Sequence, residues 1–175
     1  MYRIYKITSN PVVDFAVELE DLKRDYFTHA YGENWQMAVD FLEAVDKHMP
    51  QTYMEAKHSA RQASSFYNPA MEKPLGELIL IAKEYEQKFA ASSVMPIRVQ
   101  TVAMRLMRRY AQYIQGLAGI MAIKCLGKDE EAKALAEVFF NDFGRYELEM
   151  ERYYDHYLTR HSLNAIFNTK TEIDQ

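Results

Sequence analysis

Apolar residues recur along this chain at three- and four-residue steps, the period of helices packed on one side. The strongest run spans Pro96 to Leu126. One stripe in it is Val99, Ala103, Leu106, Tyr110, Tyr113, Leu117 and Ile120; a second is Met104, Met107, Ala111, Ile114, Ala118 and Met121. Two adjoining stripes predict a helix contacted from more than one side. They leave Arg98, Thr101, Arg105, Arg108, Gln112 and Gln115 as its polar face. After Gly127-Lys128-Asp129 a further run extends from Glu130 to about His161, with Ala132, Ala136, Phe139, Phe143, Tyr146, Met150, Tyr153 and Tyr157 at alternating steps. Each run is roughly 30 residues, or about 45 Å of helix. The pattern predicts a long antiparallel C-terminal hairpin as the spine of the fold.

The remaining elements are read from their punctuation. Asn10-Pro11 has the form of an N-cap followed by proline at the first helical position. The helix it opens carries Val12, Val13, Phe15, Ala16, Leu19, Leu22, Tyr26 and Phe27 as its apolar side, and stops at Tyr31-Gly32. A second helix is expected from about Asn34 to His48, ended by Met49-Pro50, with Trp35, Met37, Ala38, Phe41, Leu42 and Val45 turned inward. Residues 2–7 alternate weakly as an extended lead-in, Tyr53 to Arg61 has the length of a short helix, and Asn68-Pro69 and Lys73-Pro74 mark loop. From Leu75 the spacing of Leu78, Leu80, Ile81, Ala82, Tyr85 and Phe89 is helical to about Ser92-Ser93. The expectation is one all-α, bundle-like domain of five or six helices over residues 9–165, with a lead-in at 1–8 and a polar tail at 166–175.

Composition changes this picture little. The 175 residues are 49% hydrophobic and 26% charged, ordinary for one globular domain. A net charge of −4 argues against a nucleic-acid partner, which selects a basic excess. No run approaches the ~20 apolar residues of a membrane span. Met1 to Ile7 lacks the apolar core and cleavage site of a signal peptide. A complete chain would be expected in the cytoplasm, and a fragment is compatible with a secreted parent. Cys125, the single cysteine, has no partner for a disulfide and sits on an apolar stretch as a buried thiol.

Candidate chemistry is sparse. Glu55 and His58 form a Glu-x-x-His, the element that dimetal bundles use twice, but no second copy occurs, so no metal or other cofactor is expected. Glu147, Glu151 and Asp155 recur every four residues as an acidic stripe, read as solvated or as paired with the Arg98, Arg105 and Arg108 face. Asp129 reads as the cap of the last helix, with Glu130 and Glu131 complementing its dipole. The histidines His29, His48, His58, His156 and His161 show no ligand spacing among themselves, and no catalytic constellation emerges. Thirteen tyrosines and nine phenylalanines accompany a single Trp, Trp35. The stretch Tyr153-Tyr154-Asp155-His156-Tyr157-Leu158-Thr159-Arg160-His161 joins aromatic faces to hydrogen-bonding tips, the residue types that stack on and grip sugars. The candidate ligand-binding residues are therefore Tyr153, Tyr154, His156 and Tyr157, with Trp35 next.

The series Asn10-Pro11-Val12-Val13-Asp14, Leu22 to Phe27, Tyr31-Gly32 and Met37 to Leu42 resembles the start of the helical C-terminal region of large bacterial glycoside-hydrolase-like proteins related to β-hexosaminidases. Arg98 to Leu126, the Gly-Lys-Asp turn and the helix ending in Tyr153 to Tyr157 resemble its later part. The likeness covers about residues 9–163 and is one of pattern. It implies an accessory region that buttresses a preceding catalytic barrel or contacts glycan. No catalytic residue carries over, because the barrel itself would need ~250 residues of alternating strand and helix. The rival expectation is a freestanding helical module that dimerises or binds another protein.

Overall fold

A computed structural model describes residues 11–50 and 66–167, with side chains from residue 19 onward apart from 162, 164 and 165. The extended lead-in, the Asn10 cap, the short helix at 53–61 and the Glu55–His58 pair lie outside these residues. The described chain is all-α. In order it forms α1 (Pro11–Tyr31), α2 (Trp35–His48), α3 (Glu72–Ala91), α4 (Arg98–Lys124), α5 (Asp129–Phe143), the single turn α6 (Glu147–Met150) and α7 (His156–Phe167). Short 3-10 turns at Gly32–Asn34, Pro69–Met71 and Gly144–Tyr146 join several of them.

The α1–α2 turn is tight because Gly32 takes φ +62°, open to glycine at little cost, and a side chain there would press on Gln100. α2 then runs within a residue of the expected limits. Ala38, Phe41 and Val45 are buried, and the Phe41 ring stacks on Tyr85 of α3 at 5.2 Å between centroids.

The spine differs from the expected one. The most extensive contact joins α3 to α4, not α4 to the segment after it. Leu75, Leu78, Ala82 and Phe89 of α3 meet Met104, Met107, Ala111, Ile114, Ala118 and Met121 of α4, all buried. Thr101 fixes the intervening turn, its hydroxyl accepting from Met95 N–H at 2.9 Å and donating to the Met95 carbonyl at 3.2 Å. The polar face of α4 is also turned partly inward. Gln112 and Gln115 donate to Glu86 of α3 at 2.6 and 3.0 Å, and Arg108 stands 3.8 Å from the same carboxylate. Val99, assigned to an apolar stripe by spacing, is exposed, as is Leu80 of α3.

α5 does pack antiparallel on α4, and closely. A Cβ on Gly116 would fall 2.1 Å from the Phe139 ring, so the absence of a side chain sets how near the helices lie. Asp129 is the first residue of α5 and not its cap; its carboxylate accepts from the buried Lys124 ammonium at 2.7 Å. Burial and the nearby Glu72 carboxylate push the Cys125 thiol up in pKa, and its Sγ donates to the Ala122 carbonyl at 3.1 Å, in keeping with an inert core thiol.

The expected 30-residue last helix is interrupted. α5 ends at Phe143, Gly144 opens a 3-10 turn, α6 is one turn, and the chain leaves the helix before α7. Arg109 of α4 holds this break in place. Its Nε and Nη2 donate to Glu149 at 3.0 and 2.8 Å, Nη1 donates to Gln112, and the guanidinium lies 3.8 Å over the Tyr146 ring. The acidic stripe is thereby dissolved: Glu147 and Asp155 no longer share a helix. The core also reaches past the expected domain end, since Ile166 and Phe167 are buried, Phe167 against Phe140.

Candidate functional site

The break between α5 and α7 opens a cleft of about 260 Å³ lined by Phe140, Asn141, Gly144, Glu147, His156, Tyr157 and Arg160. Its making is local. Asp155 is the N-cap of α7, its carboxylate accepting from Leu158 N–H at 2.8 Å, and this fixes the register at which His156 and Tyr157 leave the loop. His156 turns inward to 7% exposure, while Tyr157 stays partly open at the mouth. On the α5 side Asn141 accepts from Arg160 at 2.9 Å, tying the two walls together.

The floor is an aromatic cluster. Tyr113 of α4 lies 5.2 Å from Phe143 and 5.8 Å from Tyr154, and the His156 ring stands 6.1 Å from Phe143 and 6.4 Å from Tyr154. Burial raises the pKa of the Tyr113 and Tyr154 hydroxyls, so both are neutral packing groups with no ionised role. His156 shifts the other way: burial disfavours its charged form and lowers its pKa from 6.5, opposed by the Phe140 carbonyl and the Glu147 carboxylate and aided by Arg160. It is a neutral imidazole at pH 7.

Four polar or charged residues are buried among the described residues: His48, Gln100, Lys124 and His156. His48 donates from Nδ1 to the Ala44 carbonyl at 2.8 Å, Gln100 donates to the His29 carbonyl at 3.4 Å, and Lys124 pairs with Asp129. His156 differs, because its buried Nδ1 has no hydrogen-bond partner among the described residues. A buried polar atom without a partner costs about 1–3 kcal/mol.

The five residues singled out in the sequence thus separate. His156 and Tyr157 line one cleft. Tyr154 belongs to its floor, and Tyr153 is exposed beside it. Trp35 lines a different groove of about 280 Å³ between α1 and α2, crossed by the Lys23–Glu43 ion pair at 3.0 Å. Of the other lining residues, Asn141 escaped the sequence reading, Glu147 was read only as part of an acidic stripe, and Arg160 only as a member of the aromatic-rich stretch after Tyr153. Gly144 inside the apolar run and an aspartate three residues before Leu158 were the available signals. No group of three or more His, Cys, Asp or Glu side chains among the described residues is placed to hold a metal ion, and no described helix is long and apolar enough to cross a membrane.

Comparison with family models, with curated proteins and with solved structures finds no match to this chain. The class that the fold and cleft define is a helical, bundle-like domain with a small polar-aromatic cleft at the first turn of α7.

Proposed function

We propose that this is a non-catalytic accessory domain of a carbohydrate-active enzyme, and that it contacts glycan through the α5–α7 cleft. The observation that carries the reading is the convergence of His156 and Tyr157 with Asn141, Glu147 and Arg160 in one concavity. A half-open tyrosine ring offers a face for the C–H surface of a pyranose. Asn141 and Glu147 supply acceptors, Arg160 supplies planar donors, and the neutral His156 ring forms part of the wall. Vicinal hydroxyls, each donor and acceptor at once, suit such a mixed rim better than a purely anionic or apolar ligand does. At about 260 Å³ the cleft falls just below the ~300–1,000 Å³ of drug-sized pockets, which favours a single ring or the end of a chain. The resemblance to helical regions that follow glycosidase barrels supports the same class of ligand.

The test is a ¹H–¹⁵N NMR titration with neutral hexoses, N-acetylhexosamines and hexuronic acids at millimolar concentration. Shifts confined to α5, α6 and α7, weakened at least about tenfold by Tyr157→Ala or Asn141→Ala, are expected; tenfold is about 1.4 kcal/mol. Silence toward all three sugar classes would remove the reading.

A further inference from the structure

The turn between α3 and α4, residues 92–97, is firmly built. Thr101 holds Met95 through both its N–H and its carbonyl, and the Met95 sulfur accepts from Asn34 Nδ2 at 3.5 Å. Around this inward-turned methionine the other aliphatic residues face out: Val94, Ile97 and Val99 are 80%, 55% and 62% exposed. Ile97 is also the N-cap of α4, the longest described helix, at φ −108° and ψ 130° with no side-chain hydrogen bond to the first turn. Serine, threonine, aspartate or asparagine would stabilise the helix there, and isoleucine is among the poorest caps. A local rule broken at the surface, where little packing repays it, marks a position kept for contact with something else.

Charge indicates what that is. No Asp or Glu occurs between Glu86 and Asp129, while seven Lys and Arg do. Five of these, Lys88, Arg108, Arg109, Lys124 and Lys128, stand 2.7–3.8 Å from a carboxylate. Arg98 and Arg105 have no such partner among the described residues, and both are exposed. They lie two turns apart on one face of α4, with Arg98 set between Ile97 and Val99. Leu19, Leu22 and Tyr26 of α1, expected on its inward side, are exposed too, but Lys23 and Arg24 beside them are already paired with Glu43 and Asp21.

We propose that the α3–α4 turn docks on an anionic phospholipid surface, with Val94, Ile97 and Val99 entering the boundary between headgroups and acyl chains and Arg98 and Arg105 meeting the phosphates. Three aliphatic side chains on a turn fall far short of the ~800 Å² per partner of a specific protein interface, whereas a lipid surface yields around them. The chain carries a net charge of −4, so such a surface repels it in other orientations and attraction is confined to this end. Each basic residue close to an anionic surface strengthens partitioning about fivefold. The contact is reversible, needs no membrane-spanning helix, and is independent of the α5–α7 cleft.

Co-sedimentation of the full chain with phosphatidylcholine vesicles containing about 30 mol% phosphatidylserine tests this, against vesicles of phosphatidylcholine alone. Binding to the anionic vesicles is expected, reduced at least about fivefold in about 0.5 M NaCl, where screening shortens the attraction to roughly 4 Å. Ile97→Asp should weaken it at least about tenfold. Aspartate is a good N-cap, so α4 should be no less stable in that variant, and thermal denaturation followed by circular dichroism checks this. Arg98→Gln should weaken binding about fivefold, and Leu148→Asp, on α6 at 88% exposure, should leave it unchanged. No binding to anionic vesicles, equal binding to both compositions, or binding indifferent to either Ile97→Asp or Arg98→Gln overturns the proposal. So does self-association that depends on Ile97 in sedimentation velocity without vesicle binding, which would assign the turn to a protein contact.

Discussion

At the scale of single residues, His156 concentrates most of the unusual physics. Its ring is buried in an aromatic cluster, its Nδ1 has no hydrogen-bond partner among the described residues, and its pKa is held below 6.5 chiefly by burial. The unfolded chain therefore takes up a proton at a pH where the folded chain does not. The stability tied to this residue is fully present above about pH 6.5 and is lost as pH falls through the lower folded-state pKa, below which it levels off. Glu86 titrates in another window. Although burial opposes its ionisation, hydrogen bonds from Gln115 and Gln112 and the Arg108 and Arg109 charges lower its pKa from 4.5, so its contribution persists until the pH drops below that value. Urea denaturation at pH 7.5, 6.0 and 5.0 should accordingly show a falling midpoint, and His156→Gln should flatten the fall. Equal slopes in both proteins would place the titration elsewhere. None of this was legible from histidine spacing, because burial depends on neighbours distant in sequence: Phe140 and Phe143 come from another helix.

At the scale of elements, the structure sorts local signals from those that depend on tertiary partners. α2 lies within a residue of the limits read from Asn34 and Met49-Pro50, and α3 ends beside Ser92 as its punctuation indicated, because glycine, proline and polar clusters act through the local backbone. The interruption after Phe143 was masked by periodicity. Phe143, Tyr146, Met150, Tyr153 and Tyr157 keep helical steps across it, so the pattern alone reads as continuous. What breaks the helix is the Arg109 clamp on Glu149 and Tyr146, together with the docking of Tyr154 on Tyr113, and both are tertiary. Asp155 then restarts the helix. Asp155→Ala should cost about 1 kcal/mol, the usual loss of an N-cap, and lower Tm by roughly 2–4 °C for a chain of this size. Asp155→Asn keeps an acceptor at the same place and should lie close to the parent. Equal losses for Ala and Asn in differential scanning calorimetry would mean that charge and not capping is what α7 needs.

At the scale of the molecule, the aromatic C-terminal end is part of the one core, although composition made everything after residue 165 look like a tail. The last apolar pair, Ile166-Phe167, is followed by Asn, Thr and Lys, and a sequence reading weights such a run toward solvent. In the fold α7 returns along α5, and Phe167, at 2% exposure, meets Phe140, which is itself fully buried. The same two helices form the walls of the cleft, so packing at Phe167 sets the spacing across Asn141 and Arg160. Phe167→Ala should cost about 3–5 kcal/mol, the range for removing a buried phenylalanine, and lower Tm by roughly 10 °C. Phe167→Leu keeps most of the buried apolar volume and should recover more than half of that. Thermal denaturation distinguishes the outcomes. A fall of only a degree or two for Phe167→Ala would mean that α7 is not docked on α5 in solution, and the cleft would then lose one of its walls. A full loss would tie the domain's stability to the element that presents His156 and Tyr157, so that any ligand bound in the cleft would stabilise the whole fold.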